Sequence, residues 1–279
     1  MRVIGLSICV LVLATASALA HGDLHLQIED ATKLIAQQPG NADLYLKRGE
    51  LHRAHQDWDA AQADYDFAFT LKPSLAVIDL ARGKMFLEAN WPLSALVALD
   101  RFLLGHSNHV DGLSTRARTL VKLGRRLEAV RDYSEAINHA AQPGPELFLE
   151  RSQALTNEGP AFVDQAIKGL DEGITRLGPL PVLLQSAIEM ELKQNNFDGA
   201  LARLERISPQ FGSRQETILV RRGEILQQAG RAQEANAAFA AALKALDSLP
   251  PSRRQVPAMA ELEQRIKLAL QSTAEKKTP

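Results

Sequence analysis

The sequence is short of cysteine. Its one cysteine, Cys9, lies in an apolar run near the start, so a chain that loses its first 20 residues has none. Such a chain forms no disulfide, builds no thiolate metal site and carries no cysteine nucleophile. Aromatic residues make up only 5% of the chain, while leucine and alanine are plentiful, as helix-on-helix packing requires. Neither sign of charge dominates. The formal net charge is −1, and losing Arg2 makes it −2, so the basic balance that nucleic acid calls for is missing. The sequence also has no glycine-rich phosphate loop, no G-x-S-x-G elbow, no His-Glu-x-x-His spacing and no haem-attachment motif. We therefore expect a non-catalytic protein with no cofactor.

What the sequence does have is a period. Gly49, Gly83 and Ala117 are spaced 34 residues apart, and so are Ala61, Ala95 and Ala129. The same spacing relates Tyr65, Leu99 and Tyr133, and then Ala68, Phe102 and Ala136. One period held at four slots over three copies points to stacked supersecondary units. Within the first copy, Tyr45, Arg48, Gly49 and His52 fall on one face of a helix. Ala61, Tyr65 and Ala68 fall on one face of a second helix, which Pro73 ends. A glycine inside a helix costs roughly 1 kcal/mol relative to alanine, so its return at Gly49, Gly83 and Gly223 asks for a packing reason. Close crossing of two backbones supplies one, with Tyr65 filling the space beside it.

These residues resemble the tetratricopeptide repeat motif, aromatic-x2-Leu-Gly-x2-Tyr, then Ala-x3-Phe, then Pro. Tyr45, Gly49, Ala61, Tyr65, Ala68 and Pro73 match it, whereas Arg48, Arg82 and Arg116 replace its leucine. The resemblance implies an all-α, right-handed α-solenoid of helix–turn–helix repeats. It also implies a scaffold or adaptor that binds a protein or peptide in a concave groove lined by the first helices. In this chain the groove slots hold Leu46, Glu50 and Arg53, then Leu80, Lys84 and Leu87, then Ser114, Arg118 and Val121, and finally Leu149 and Gln153. The lysine and asparagine pattern by which some relatives clamp a terminal carboxylate is not reproduced.

Read in order, residues 1–20 form a signal peptide. Arg2 precedes the apolar run Val3 to Leu13, and Ala18-Leu19-Ala20 is a small-x-small cleavage site. A periplasmic or secreted protein follows, with no membrane insertion once the signal is cut. Residues 21–41 make an N-terminal capping helix. Six repeats fill 42–247, at 42–75, 76–109, 110–143, 145–180, 181–209 and 216–247. The fourth has a longer inner turn at Glu158-Gly159-Pro160. A capping helix at 254–272 and a disordered tail at 273–279 close the chain. The pattern sets no oligomeric state.

Two further features admit two readings each. The recurrent Arg48, Arg82, Arg116, Arg151 and Arg222 could form a basic ladder for an acidic partner. Alternatively they pair with carboxylates of the second helices, such as Asp64, Asp66, Asp100, Asp132 or Asp171. Because they abut the helix crossing, the second reading is favoured. Cleavage after Ala20 would expose His21 four residues before His25, and an N-terminal amine with two imidazoles suits copper. Periplasmic metal handling is therefore the alternative to a scaffold.

Overall fold

The computed structural model describes residues 23–207 and 214–275, all helix and turn with no strand among them. The expected signal peptide, His21, residues 208 and 209 of the fifth repeat and the tail from 276 lie outside the described residues. The chain divides into two compact units, 1–143 and 144–279.

The first unit begins with α1, residues 23–37. Three helix pairs follow: α2 (Ala42–Ala54) with α3 (Trp58–Leu71), α4 (Val77–Glu88) with α5 (Pro92–Gly105), and α6 (Val110–Lys122) with α7 (Arg126–His139). Each pair packs against the next, α3 on α4 and α5 on α6. The starts are capped by local chemistry. The Asn41 and Asp57 side chains accept backbone N–H bonds at α2 and α3, and Pro92 supplies the first residue of α5. The turn inside each pair is set by one residue at positive φ: Gln56, Asn90 and Gly124, again 34 apart. The amide after it bonds back to the helix, Asp57 to His52, Trp91 to Phe86 and Arg125 to Leu120, satisfying a carbonyl at the helix end.

The crossing inside each pair is close, and the small residue is the reason. A methyl group placed on Gly49 would lie 2.6 Å from Tyr65 Cε1, and one on Gly83 would lie 2.5 Å from Leu99 Cγ. Ala61, Tyr65, Ala95, Leu99, Ala117 and Ala129 are completely buried, so the repeated slots are the core of the unit.

The second unit contains α8 (Pro145–Glu158) with α9 (Val163–Leu177), α10 (Pro181–Lys193) with α11 (Phe197–Ile207), and α12 (Gln215–Gln228) with α13 (Ala232–Asp247). A short α14 (Pro251–Arg254) leads to α15 (Pro257–Glu275), which packs on α13 and buries Ile266. The long inner turn of the first pair is a 3-10 turn, Pro160–Phe162, after Gly159 at φ 153°. Helix α15 runs through 273–275, which the sequence reading gave to the tail. After Pro257 no glycine or proline interrupts it up to that point.

Candidate functional site

The arginine slot explains itself once the helices are in place. Arg48 makes a two-pronged bond to Asp64, Nε at 2.8 Å and Nη2 at 2.7 Å, and also reaches Thr32 on α1. Arg116 does the same with Asp132, at 2.7 and 2.8 Å, and adds Asp100 at 2.9 Å. Hydrogen bonds donated to Asp132 hold the Arg116 guanidinium above its ordinary range despite burial. Each arginine thus faces one position 16 residues ahead and one 16 residues behind. For Arg82 the position ahead is Ala98 and only Asp66 behind can answer, at 2.5 Å. Its Nε is buried with no hydrogen-bond partner. Arg82 also bonds Asp79 and lies over the Phe69 ring.

The second unit makes a similar junction with other residues. Arg151 pairs with Glu172 at 2.6 Å, and Arg222 with Glu205 at 2.8 Å. The α10–α11 pair has no arginine at the slot. There Arg203 of α11 binds Asp171 of α9, at 2.5 and 3.0 Å, and the buried Glu191 of α10 at 3.1 Å. Asp171 therefore serves Arg203, not Arg151. The arginines hold the repeats together, and no free basic ladder runs along them.

The predicted groove residues fare unevenly. Leu80 and Ser114 are buried, each about 5% exposed, and cannot line a groove. In α4 the buried face includes Leu80, Ala81 and Arg82, so the slot faces inward, and Ser114 Oγ donates to the Asp111 carbonyl. Leu46, Leu87, Val121 and Leu149 are half-buried, as is Arg118, and Gln153 is exposed. The charged members are engaged with one another. The Tyr65 hydroxyl donates to Glu50 at 2.6 Å, Arg53 donates to Glu50 at 2.8 Å and to Glu88 at 2.5 Å, and Lys84 pairs with Asp111 at 2.5 Å. Burial first, then the bond to Glu50, pushes the Tyr65 hydroxyl well above the ordinary phenol range, so it remains a donor. Two of these contacts, Arg53–Glu88 and Lys84–Asp111, join successive repeats.

An open cavity with an apolar floor lies elsewhere, in the second unit between α10, α11, α12 and α15. It holds about 330 Å³. Ile188, Leu204, Ile207 and Val220 form its buried floor, and Ile218 and Leu262 stand half-buried among its lining. The charged part of the lining is a linked chain: Arg221 bonds Glu189 and Glu224, and Arg265 bonds Glu224. The 34-residue period does not point to this site: Ile188 stands where the first repeats have a glycine or alanine, and Leu262 belongs to α15, beyond the six repeats.

His25 of α1 has its ring 6.5 Å from that of His55, and His21 lies outside the described residues. Among the described residues, no group of three or more His, Cys, Asp or Glu is placed to hold a metal ion. No helix among them is long and apolar enough to cross a membrane.

Comparison with solved structures gives the same fold. The C-terminal part of a TPR repeat-containing protein from Cytophaga hutchinsonii superposes with a TM-score of 0.64 at 16% identity, covering 82% of this chain and 95% of that one. A tetratricopeptide repeat protein from Parabacteroides merdae gives 0.53 at 16%, covering 95% and 97%. YrrB, described as a TPR protein with an unusual peptide-binding site, gives 0.53 at 18%, covering 76% and 98%. No protein-family model matches the chain, and no curated protein does. The fold is that of the tetratricopeptide repeat proteins: all-α, built of consecutive helix–turn–helix pairs.

Proposed function

We propose that this protein is a non-catalytic interaction scaffold that binds a peptide or a segment of a partner protein in a groove to which its first helices contribute, α10 and α12 with α11 and α15 in the second unit. The observation that carries this reading is the cavity of the second unit. It combines an apolar floor, room for one bulky side chain and a polar rim, as pockets that anchor a ligand do. A residue such as leucine or phenylalanine would fill it, and the backbone on either side would meet the Arg221 and Arg265 guanidiniums and the Glu189 and Glu224 carboxylates. The peptide-binding site named for YrrB, a protein of the same fold, supports the choice of ligand class. In the first unit, Leu46, Glu50, Arg53, Lys84, Leu87, Arg118 and Val121 offer a second, more polar stretch, where a ligand must compete with ion pairs already made. Leu149 and Gln153 offer a further short stretch on α8.

We also propose that residues 1–20 direct export to the periplasm or beyond. N-terminal sequencing of the native protein should begin at His21.

The binding proposal is tested with peptides selected from a random display library on immobilised protein from residue 21 onward. Ile218→Glu places a charge in the cavity without touching the buried floor, and should weaken the selected peptides at least tenfold at unchanged melting temperature. Lys84→Ala with Arg118→Ala should do so if the first unit is the site. Failure to select any peptide would sink the reading.

A further inference from the structure

The outer face of α5 carries an apolar strip that the repeat does not require. Leu93, Val97 and Leu104 are 71%, 59% and 87% exposed, and all fall on one side of that helix. The positions 34 residues earlier hold Asp59, Ala63 and Thr70, and those 34 later hold Leu127, Arg131 and Asn138. Packing within the repeat therefore accepts polar residues at these slots. Only α5 fills all three with large aliphatics. A concavity of about 480 Å³ opens beside them, lined by Val97, Leu103, Leu104, Arg101 and Asp100 among others.

The order of residues along the strip says what would cover it. Asp100 and Arg101 stand at its centre, half-exposed, with Val97 three residues before and Leu104 three residues after. Turned end for end, the strip presents opposite charge to charge and aliphatic to aliphatic. We infer that α5 is a self-association surface, on which a second copy of this chain docks with its own α5 antiparallel about a two-fold axis. Asp100 then faces Arg101 of the partner subunit, and Val97 faces Leu104 of the partner subunit. The arrangement is isologous, the same patch serving both copies. Asp100 keeps Arg116, and Arg101 keeps Asp79, each at 2.9 Å, which holds both charged side chains in place beside the strip. From Leu93 to Leu104 the strip spans only about 16 Å. It falls short of a standard interface of roughly 1,600 Å², so the dimer is weak and depends on concentration.

Sedimentation analysis of the chain from residue 21 onward, free of the apolar leader, tests this over a range reaching on the order of 1 mM. The expected result is a reversible monomer–dimer equilibrium, with Leu104→Glu monomeric throughout at an unchanged melting temperature. The absence of native cysteine in that chain allows a second test. A mixture of Val97→Cys and Leu104→Cys proteins should cross-link with a short bis-thiol reagent, and much faster than either protein alone. A wild-type monomer at the highest concentration overturns the inference, as does a dimer that survives Leu104→Glu. Cross-linking that favours either single variant over the mixture overturns the two-fold register.

Discussion

The α6–α7 pair of the first unit and the α10–α11 pair of the second solve one packing problem with different placements of the arginine. In the first unit an arginine on the first helix, Arg116, reaches carboxylates on the second helices before and after it, Asp100 and Asp132. In the second unit an arginine on a second helix, Arg203, reaches a carboxylate on the preceding second helix, Asp171, and one on its own first helix, Glu191. Each junction sews three helices together across a repeat boundary. What the fold requires is a satisfied guanidinium between them, and which helix supplies it is open. The departure has a correlate. The α10–α11 pair, where the arginine slot is lost and Ile188 occupies the glycine position, is also where the apolar cavity opens.

The largest expected effect tests the shared feature, the close crossing. Gly83→Leu drives a side chain into Leu99, which is fully buried and has nowhere to go. Overpacking of this kind costs typically 1–3 kcal/mol and more where the backbone must move, so a loss of about 3 kcal/mol or beyond is expected. Chemical denaturation should show the first unit unfolding early. A near-normal midpoint would mean that the crossing tolerates separation.

Next come the two junctions. Arg203→Ala leaves Glu191 buried without its cation and should cost roughly 3 kcal/mol, since breaking a buried pair from one side strands the other charge. Asp132→Asn leaves Arg116 with Asp100, so the expected cost is smaller, about 1–2 kcal/mol. Measured by urea denaturation, the reverse order would show that the first-unit form is the less redundant.

Much of the first unit was legible because its chemistry is periodic. Gly49 against Tyr65 and Gly83 against Leu99 are contacts between slots, and a spacing of 34 names both members. The arginine pairs were legible for the same reason, except where the partner broke the period: Glu172, not Asp171, answers Arg151, and Glu205, 17 residues behind, answers Arg222. The faces of single helices were harder to read. Leu80 and Ser114 share the groove register with Leu46 and Leu149, but each is turned inward by packing that a single helical wheel does not contain. The cavity of the second unit was not legible at all. Ile188, Leu204, Ile218 and Leu262 come from four helices, and one of them, α15, lies outside the repeat pattern.

The smallest effect is the sharpest test of the arginine slot, because it asks for a gain. Arg48 and Arg116 each give Nε to a carboxylate 16 residues ahead, Asp64 and Asp132. Arg82 finds Ala98 there, and its Nε is buried without a partner. Ala98→Asp puts a carboxylate where the neighbouring repeats already accommodate one. An unmet buried donor costs about 1–3 kcal/mol, and burying the new carboxylate takes part of that back, so a net gain of about 1 kcal/mol is expected. For a chain of this size that corresponds to a rise of roughly 2–4 °C in melting temperature. The gain must come from Arg82. In the Ala98→Asp background, Asp66→Asn should cost less than it does in the wild type, where only the long 3.5 Å contact to Asp79 would remain. If Ala98→Asp destabilises, or if the two changes simply add, Asp66 and Asp79 already satisfy Arg82, and the position 16 residues ahead matters only for Arg48 and Arg116.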